Sequence, residues 1–215
     1  IYTLPIAKLF DVICEWIENK VPGAYVYGVS RLGKSRAIRF WISQLIKDKY
    51  NGKILFFHMN FKQHQYPTEN TFICELLCAL DNLFSQSGTR TAKFERLIFN
   101  LSSKAQNLQT NHIVLMIDEA QFMHDQEYQW LCNIQNEMDD LGFRFTVISV
   151  GSHELTYQHE VFSMADSAYL LSRFMVLSNS FHGIQNVAEL EYVLEGYDQH
   201  SEWPEGSEIS FTQYF

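Results

Sequence analysis

The sequence has 215 residues, of which 47% are hydrophobic and 15% aromatic, so it can form one globular domain of ordinary size. This composition excludes a disordered chain and a fibrous repeat. The formal net charge of −9 is unevenly spread, since residues 1–53 carry +5, residues 54–115 carry +1 and residues 116–215 carry −15. Such an asymmetry fits a protein with a basic, anion-binding side, although ordinary solvated surface charge explains it equally well.

The hydropathy of the chain and the residues at its two ends indicate where in the cell the protein is expected. No run of 18 apolar residues occurs, and the amino end resembles neither a signal peptide nor a transit peptide. We therefore expect a cytoplasmic protein with no membrane partner. Because the chain begins without Met and ends inside an aromatic phrase, we also expect it to be part of a longer protein.

Hydrophobic spacing predicts strands that alternate with helices along the chain. Helical spacing is found in residues 5–19, 34–46, 72–84, 90–108, 128–138 and 187–197. Short apolar runs predict five strands, at residues 24–27, 53–60, 112–117, 144–150 and 174–177. Strands that are apolar throughout favour a mostly parallel sheet covered by helices on both faces, which is a three-layer α/β sandwich. Ligands of such sheets bind at the carboxyl ends of the strands, here just after Tyr27, Ile117 and Val150.

A phosphate-binding motif follows the first of these strands. Residues 28–35 read G-V-S-R-L-G-K-S, which fits the Walker A pattern, and the motif stands between a strand and an amphipathic helix, as that pattern requires. Backbone N–H groups of such a loop surround a β-phosphate at a helix N-terminus. Lys34 is expected to bridge the β- and γ-phosphates and Ser35 to coordinate Mg²⁺. The predicted nucleotide-binding residues are Gly28, Val29, Ser30, Arg31, Leu32, Gly33, Lys34, Ser35 and Arg36.

Two acids end the most apolar strand. Residues 113–121 read I-V-L-M-I-D-E-A-Q, which is typical of a Walker B strand. Asp118 is expected to hold the Mg²⁺ and Glu119 to polarise the attacking water. Helix-start preferences alone would explain acids here, but not their pairing with a phosphate loop.

Two further polar residues are candidates for contacts with the γ-phosphate. Ser152 follows the strand at 144–150 and is the first candidate for a sensor residue, with Ser149 as the second and an ordinary turn serine as the alternative. Arg173 shares the most acidic part of the chain only with Arg144. At a strand entry, Arg173 could reach the γ-phosphate of a neighbouring subunit, or it could pair with local carboxylates instead.

Together these motifs resemble the AAA+ superfamily of P-loop ATPases. Within it the chain is most similar to the TnsC/TniB group of transposition regulators, found in Tn-seven-like and CRISPR-associated transposons. The resemblance rests on D-E-A-Q at 118–121, S-R-F at 172–174 and the phrase at 194–215. It covers residues from about 21 to 215. Arg31 departs from the Gly common in this loop, and a lid domain with its sensor 2 Arg is absent or truncated.

The resemblance implies an ATPase that assembles on duplex DNA as a ring or helical filament. Such a protein links a target-selector protein to the transposase, and ATP hydrolysis drives its disassembly. By position, Lys34, Asp118, Glu119, Ser152 and Arg173 would be the catalytic residues, with Arg173 acting in trans. The implied domains are an N-terminal helix at 1–20, an AAA+ core at 21–185, and a C-terminal helix with the start of a truncated tail at 186–215.

The sequence gives weaker indications for DNA contacts. Nonspecific duplex binding requires Lys and Arg side chains that face phosphates. The candidates lie between the first and third predicted strands, namely Lys62, Arg90, Lys93, Arg96 and Lys104, with Lys62 the strongest. An alternative function is a signalling or secretion ATPase that binds protein partners without DNA. A D-E-A-H helicase is a third reading, but its Ser-Ala-Thr motif is missing.

Overall fold

A computed structural model describes residues 2–164, 167–202, 204, 206–207 and 209–214. Four residues of the 194–215 phrase therefore lie outside the described residues, namely Trp203, Glu205, Glu208 and Phe215. The strands are β1 (Gly23–Tyr27), β2 (Leu55–Asn60), β3 (His112–Asp118), β4 (Arg144–Gly151) and β5 (Leu177–Ser180). The helices are α1 (Leu4–Glu18), α2 (Lys34–Ala37), α3 (Ser43–Lys49), α4 (Glu69–Ala79), α5 (Arg90–Asn107), α6 (Asp125–Asp140), α7 (Glu154–Met164), α8 (Ala168–Phe174), α9 (Val187–His200) and α10 (Phe211–Tyr214).

The five strands form one sheet in the order β2-β3-β4-β1-β5, and every pairing is parallel. Parallel neighbours need crossover connections, and helices supply them. The register places Asn60 beside Asp118 and Tyr27 beside both Gly151 and Ser180, so the carboxyl ends of the strands share one edge. This confirms the predicted α/β fold with a five-stranded sheet.

Each face of the sheet has its own apolar core, because β3 and β4 are buried on both sides. Val114, Met116 and Ile148 face the core formed by α1 and the helix after the phosphate loop. Ile113, Leu115 and Val147 face the core formed by α4, α5, α6, α7 and α8. The molecule is therefore a three-layer sandwich. No helix in the described ranges is both long enough and apolar enough to cross a membrane.

The helix that follows the phosphate loop contains a π-helical segment, Ile38–Ile42, between α2 and α3. Ser43 Oγ donates to the Ile38 carbonyl at 3.2 Å, which supplies one hydrogen bond where the regular ladder is interrupted. The buried positions Ala37, Ile38, Ile42 and Ile46 therefore stay on one face across the irregularity. Helical spacing alone predicted a regular helix here.

Three predicted elements differ in the structure. The helix predicted at 72–84 ends at Ala79, and Leu83 and Phe84 are 94% and 67% exposed. The fifth strand, predicted at 174–177, forms three residues later, since Phe174 ends α8 and packs against Tyr128, whereas β5 begins at Leu177. Helix α9 forms as expected, but its apolar positions are exposed. The apolar spacing therefore predicts an element of the right type in each region, but not its bounds or what covers it.

Candidate nucleotide site

Three segments that are distant in sequence meet at the carboxyl edge of the sheet. The phosphate loop follows β1, the two acids end β3, and Ser152 follows β4, and these three strands are adjacent. Together they enclose a cavity of about 220 Å³, which we call the phosphate cavity. Its lining residues are Ser30, Arg31, Gly33, Lys34, Ser35, Asp118, Glu119, Gln121, Gly151 and Ser152.

The conformation of the phosphate loop explains its residues. A Cβ on Gly28 would lie 2.3 Å from the Phe181 carbonyl oxygen, so only glycine permits this close approach. Arg31 and Gly33 both have positive φ, at 67° and 95°. The Arg31 backbone thus adopts the left-handed conformation that glycine adopts without strain, and its side chain is exposed. The departure at position 31 therefore preserves the bend of the loop.

The ammonium of Lys34 lies inside this loop. Lys34 is 8% exposed, and its Nζ donates to the carbonyl oxygens of Gly28 and Val29 at 2.9 and 2.8 Å. Burial lowers the pKa of Lys34, and the charges of Asp118 and Glu119 oppose that shift. The loop thus holds a cation at its centre, where an anionic group can approach it.

Asp118 and Ser35 form the oxygen-rich wall of the phosphate cavity. Burial raises the pKa of the Asp118 carboxyl, whereas hydrogen bonds from Ser35 and from the Glu119 N–H lower it. The Glu119 N–H donates to Asp118 Oδ1 at 3.0 Å. A carboxylate beside a hydroxyl is a donor set suited to a hard divalent cation such as Mg²⁺.

Glu119 occupies a strained backbone position, with φ of 57° and ψ of 30°. A residue other than glycine keeps a left-handed backbone conformation only where its surroundings impose it. Residues in this conformation cluster at functional sites. Gln121 donates from Nε2 to Glu119 Oε2 at 2.7 Å, and Gln121 Oε1 accepts the Ser152 N–H at 3.2 Å. The sequence motifs by themselves indicate no role for Gln121. Its position in D-E-A-Q was the only sequence signal available.

The structure distinguishes between the two serine candidates on β4. Ser152 lines the phosphate cavity, and its Oγ accepts the N–H of Glu154 at 3.3 Å. Ser149 is fully buried, and its Oγ lies 3.5 Å from the Tyr128 hydroxyl in the core. Only Ser152 faces the space in which a phosphate could lie.

A second cavity of about 520 Å³ adjoins the phosphate loop on its other side. Leu32 and Arg36, both among the predicted nucleotide-binding residues, line this cavity instead of the phosphate cavity, together with Ile6, Phe181 and Ile184. Val29 lines neither cavity, and its side chain is 57% exposed. The mainly apolar walls beside a phosphate loop provide room for a flat, weakly polar ring.

Arg173 lies far from this site. It is in the last turn of α8, and its carbonyl oxygen is 2.3 Å from an ideal Cβ on Gly23, at the amino end of β1. Its guanidinium donates to Asn136 Oδ1 at 2.7 Å, a neutral partner instead of the carboxylate considered above. Because the phosphate loop follows the carboxyl end of β1, Arg173 is at the opposite edge of the sheet from the phosphate cavity of its own chain.

The basic residues predicted to contact DNA have very different surroundings. Lys62 is exposed in the loop after β2. Lys93 is 4% exposed, and its Nζ donates to Cys74 Sγ at 3.2 Å, so its assignment as a surface phosphate contact is wrong in this structure. Arg96 binds the carbonyl oxygens of Phe84 and Ser87, and Arg90 pairs with Glu69. Lys104 is half-buried beside another cavity, described below.

Comparisons with known proteins agree with this geometry. In solved structures, the chain is similar to the Aeropyrum pernix ORC1 protein in complex with DNA, with 15% identity and a TM-score of 0.59 over 91% of this chain and 49% of that one. It is also similar to CDC6P from Pyrobaculum aerophilum, with 22% identity and a TM-score of 0.56 over 82% of this chain and 44% of that one. At such identities the likeness shows a shared fold. The chain spans about half the length of these structures, and no curated protein matches it.

A family model described as an AAA domain matches residues 22–158, which is well over half of the chain. This range begins just before β1 and ends within α7, so it contains the phosphate loop, both acids and Ser152. The chain therefore belongs to the AAA domain family.

Proposed function

We propose that this chain is the nucleotide-binding core of an AAA+ ATPase that binds ATP with Mg²⁺ in the phosphate cavity and hydrolyses it. One observation carries the proposal: Lys34, from the phosphate loop, lines the same small cavity as Asp118 and Glu119, which come from the end of β3. The ADPNP-ADP complexes of the similar Aeropyrum pernix ORC2 protein support it, at 14% identity and a TM-score of 0.60 over 88% of this chain and 49% of that one.

In this proposal the nucleotide spans the two cavities on either side of the phosphate loop. The loop amides and Lys34 bind the β- and γ-phosphates, and the helix N-terminus adds its positive field. The adenine ring occupies the 520 Å³ cavity between Leu32, Phe181 and Ile184.

The residues beside Lys34 fit a magnesium ion. Ser35 and Asp118 supply the hydroxyl and carboxylate oxygens that this ion prefers, and both line the phosphate cavity. When bound, the ion would neutralise charge on the phosphate oxygens. Deprotonated Asp118 is the form that binds a cation, so cation binding favours the charged state that burial alone disfavours.

Glu119 acts as the general base in this proposal. Its carboxylate orients a water molecule and accepts its proton as that water attacks the γ-phosphorus. Gln121 fixes the carboxylate from the side, and Ser152 contacts the γ-phosphate from the end of β4. The strained backbone of Glu119 supports this assignment, because it aims the side chain independently of Asp118.

Arg173 completes the site of an adjacent subunit. Its distance from its own phosphate cavity means that it can contact a γ-phosphate only in trans, and its exposed hydrogen bond to Asn136 holds it at the surface. A guanidinium supplied in this way stabilises charge in the transition state of phosphoryl transfer. Hydrolysis therefore depends on assembly.

The partner of the assembly, we propose, is duplex DNA, and the role is that of a TnsC/TniB-type transposition regulator. The D-E-A-Q and S-R-F motifs support the subgroup. The DNA-bound ORC1 protein of Aeropyrum pernix and the DNA-bound ORC of Drosophila support DNA binding by this fold. Lys62 is the proposed DNA contact, and its exposed position in the loop after β2 supports this proposal. A transposase and a target selector would be the protein partners.

The test is ATP-dependent assembly on DNA. Purified protein is titrated with ATP and Mg²⁺, then mixed with duplexes of 20 to 60 base pairs and imaged. We expect large assemblies whose length follows the duplex and whose affinity falls steeply with salt. Lys34→Ala should abolish both ATP uptake and assembly, whereas Lys20→Ala, which removes an exposed lysine far from the cavity, should change neither.

Different failures have different meanings. Folded protein that takes up no ATP would overturn the nucleotide site and everything built on it. ATP uptake without DNA binding would leave the ATPase and overturn the DNA role, in favour of an ATPase that acts on protein partners. DNA assembly that fails to support transposition with a transposase and target selector from the same transposon would overturn the subgroup alone.

A further inference from the structure

A third and larger cavity, of about 820 Å³, lies along the outer edge of the sheet. Its floor is the segment 54–58, and its walls are the helix surface at 39–47 on one side and residues 78–81, Lys104 and Leu108 on the other. We call it the edge groove. It shares no lining residue with the phosphate cavity, and it shares only Phe40 with the 520 Å³ cavity beside the phosphate loop.

The floor of the edge groove is backbone. Strand β2 is the last strand of the sheet, and in the described part of the chain only β3 pairs with it. Five consecutive residues line the groove, although alternate side chains of a strand point to opposite faces. The groove therefore faces the edge of β2, where unpaired N–H and C=O groups project.

Little protects this edge from pairing with another strand. Residues 53–60 contain no Pro, and none of the left-handed residues lies within β2. The two helical walls flank the edge without covering it. A segment of about five residues in extended conformation, roughly 16 Å long, matches the length of the floor.

The walls carry positive charge. Arg39 and Lys47 line one wall and Lys104 the other, against one acid, Asp81. Among the described residues, the ion pairs involve none of these three cations. Burial, followed by the charge of Arg39, lowers the pKa of His58 in the floor, and the charge of Asp118 opposes that shift. The edge groove thus favours a ligand with negative side chains.

Apolar surface accompanies the charge. Phe40 is 61% exposed and Leu108 is 38% exposed, one on each wall, and Phe56 is half-buried in the floor. A strand that lies between the walls sends alternate side chains to opposite sides. Both walls therefore offer apolar contacts close to a cation.

Two other occupants fit less well. A nucleic-acid strand could pair its phosphates with the cations, but the outward carbonyl oxygens of β2 would repel them, whereas a peptide backbone pairs with both donors and acceptors. A second copy joined edge to edge would place like charges opposite each other, which is unfavourable.

We infer that the edge groove binds an extended acidic segment of a partner protein, which adds to the sheet as a sixth strand beside β2. Main-chain hydrogen bonds supply affinity, and the acidic side chains, paired with Arg39, Lys47 and Lys104, supply specificity. The site lets a partner attach to an AAA domain without occupying the nucleotide site.

The test uses a fluorescein-labelled octapeptide of alternating Glu and Val, followed by fluorescence anisotropy. We expect saturable binding that Lys47→Glu and Arg39→Glu each weaken at least tenfold. Lys20→Glu changes the net charge equally but lies outside the edge groove, so it should alter affinity less than twofold. The melting temperature and the ATP uptake of each variant are measured to check that its fold is intact.

Two further peptides test the mode of binding. An octapeptide with N-methylated alternate amides should bind at least tenfold more weakly, because it cannot pair along β2. A Lys-Val octapeptide should not bind. Equal binding by the N-methylated peptide would overturn strand addition, and equal binding by the Lys-Val peptide would overturn the charge preference. Single-stranded DNA that binds with the Lys47→Glu sensitivity, where the acidic peptide does not, would reassign the groove to nucleic acid.

Discussion

Gln121 holds Glu119 from the side, with a hydrogen bond of 2.7 Å from Gln121 Nε2 to Glu119 Oε2. The other end of the same amide accepts the backbone N–H of Ser152 at 3.2 Å. Because a backbone N–H can only donate, it fixes Oε1 toward β4 and leaves the amide N–H groups for the carboxylate. One side chain thus connects the proposed base with the strand that carries the proposed sensor.

Replacement of Gln121 should slow hydrolysis and spare binding. In Gln121→Ala the Glu119 carboxylate loses its lateral support, and misplacement of a catalytic group by a fraction of an ångström is costly. We expect kcat to fall by about tenfold or more, with ATP affinity within about threefold of the parent. Steady-state hydrolysis and nucleotide titration measure the two quantities. An equal loss of affinity would mean that Gln121 supports the loop as a whole.

Gly151→Ala should reproduce the same defect by a steric route. A Cβ at position 151 would lie 2.3 Å from Gln121 Oε1 and 3.0 Å from Leu155 Cδ1, so the Gln121 side chain must move. We expect kcat to fall to a level similar to that of Gln121→Ala. In the double variant the losses should not add, because both changes disrupt one contact. Additive losses in a double-mutant cycle would show that Gly151 acts separately.

Glu119→Gln should separate binding from hydrolysis. The amide keeps the shape of the side chain but cannot accept the proton of the attacking water. We expect ATP uptake close to that of the parent, hydrolysis reduced by about a hundredfold or more, and longer-lived DNA complexes. Dissociation from labelled duplex, followed after dilution into ATP, measures the last effect. Faster release than in the parent would assign Glu119 a different role.

The local motifs were predictable because their chemistry is contained in short segments. A strand, a Gly-bearing turn and a helix suffice to place Lys34 and Ser35, and a buried strand suffices to place Asp118 at its end. Parallel order then brings these segments together without further information. The α/β fold and strands β1 to β4 follow from the same alternation of apolar runs, whereas β5 overlaps its predicted run only at Leu177.

The errors arise where tertiary contacts decide. Lysine side chains usually lie on the surface, but the fold buries Lys93 against Cys74. Phe174 suits a strand or a helix equally, and its packing on Tyr128 places it at the end of a helix. The link between Gln121 and Ser152 joins residues 31 positions apart. The spacing of apolar residues along the sequence does not indicate such a contact, so only the structure could reveal it.

His112 should make the fold sensitive to acid. It is 8% exposed, and its Nε2 lies 2.9 Å from Thr146 Oγ1, whose own hydroxyl donates to the Val21 carbonyl at 2.8 Å. Thr146 therefore accepts from a neutral, Nε2-protonated imidazole, and a second proton would be placed on a buried ring. Burial, with smaller contributions from Arg144 and Lys20, lowers the pKa of His112 to about 4.

The sign of the pH dependence follows from this shift. Between the unfolded pKa of about 6.5 and the folded pKa of about 4, the unfolded chain binds the extra proton and the folded chain does not. The free energy of unfolding should therefore fall as the pH drops through this window, by about 3 kcal/mol for this residue. Urea unfolding at pH 7.0, 5.5 and 4.5 measures the slope, and His112→Gln, which keeps an N–H donor but cannot titrate, should flatten it. A slope that is unchanged in His112→Gln would assign the acid sensitivity to other groups.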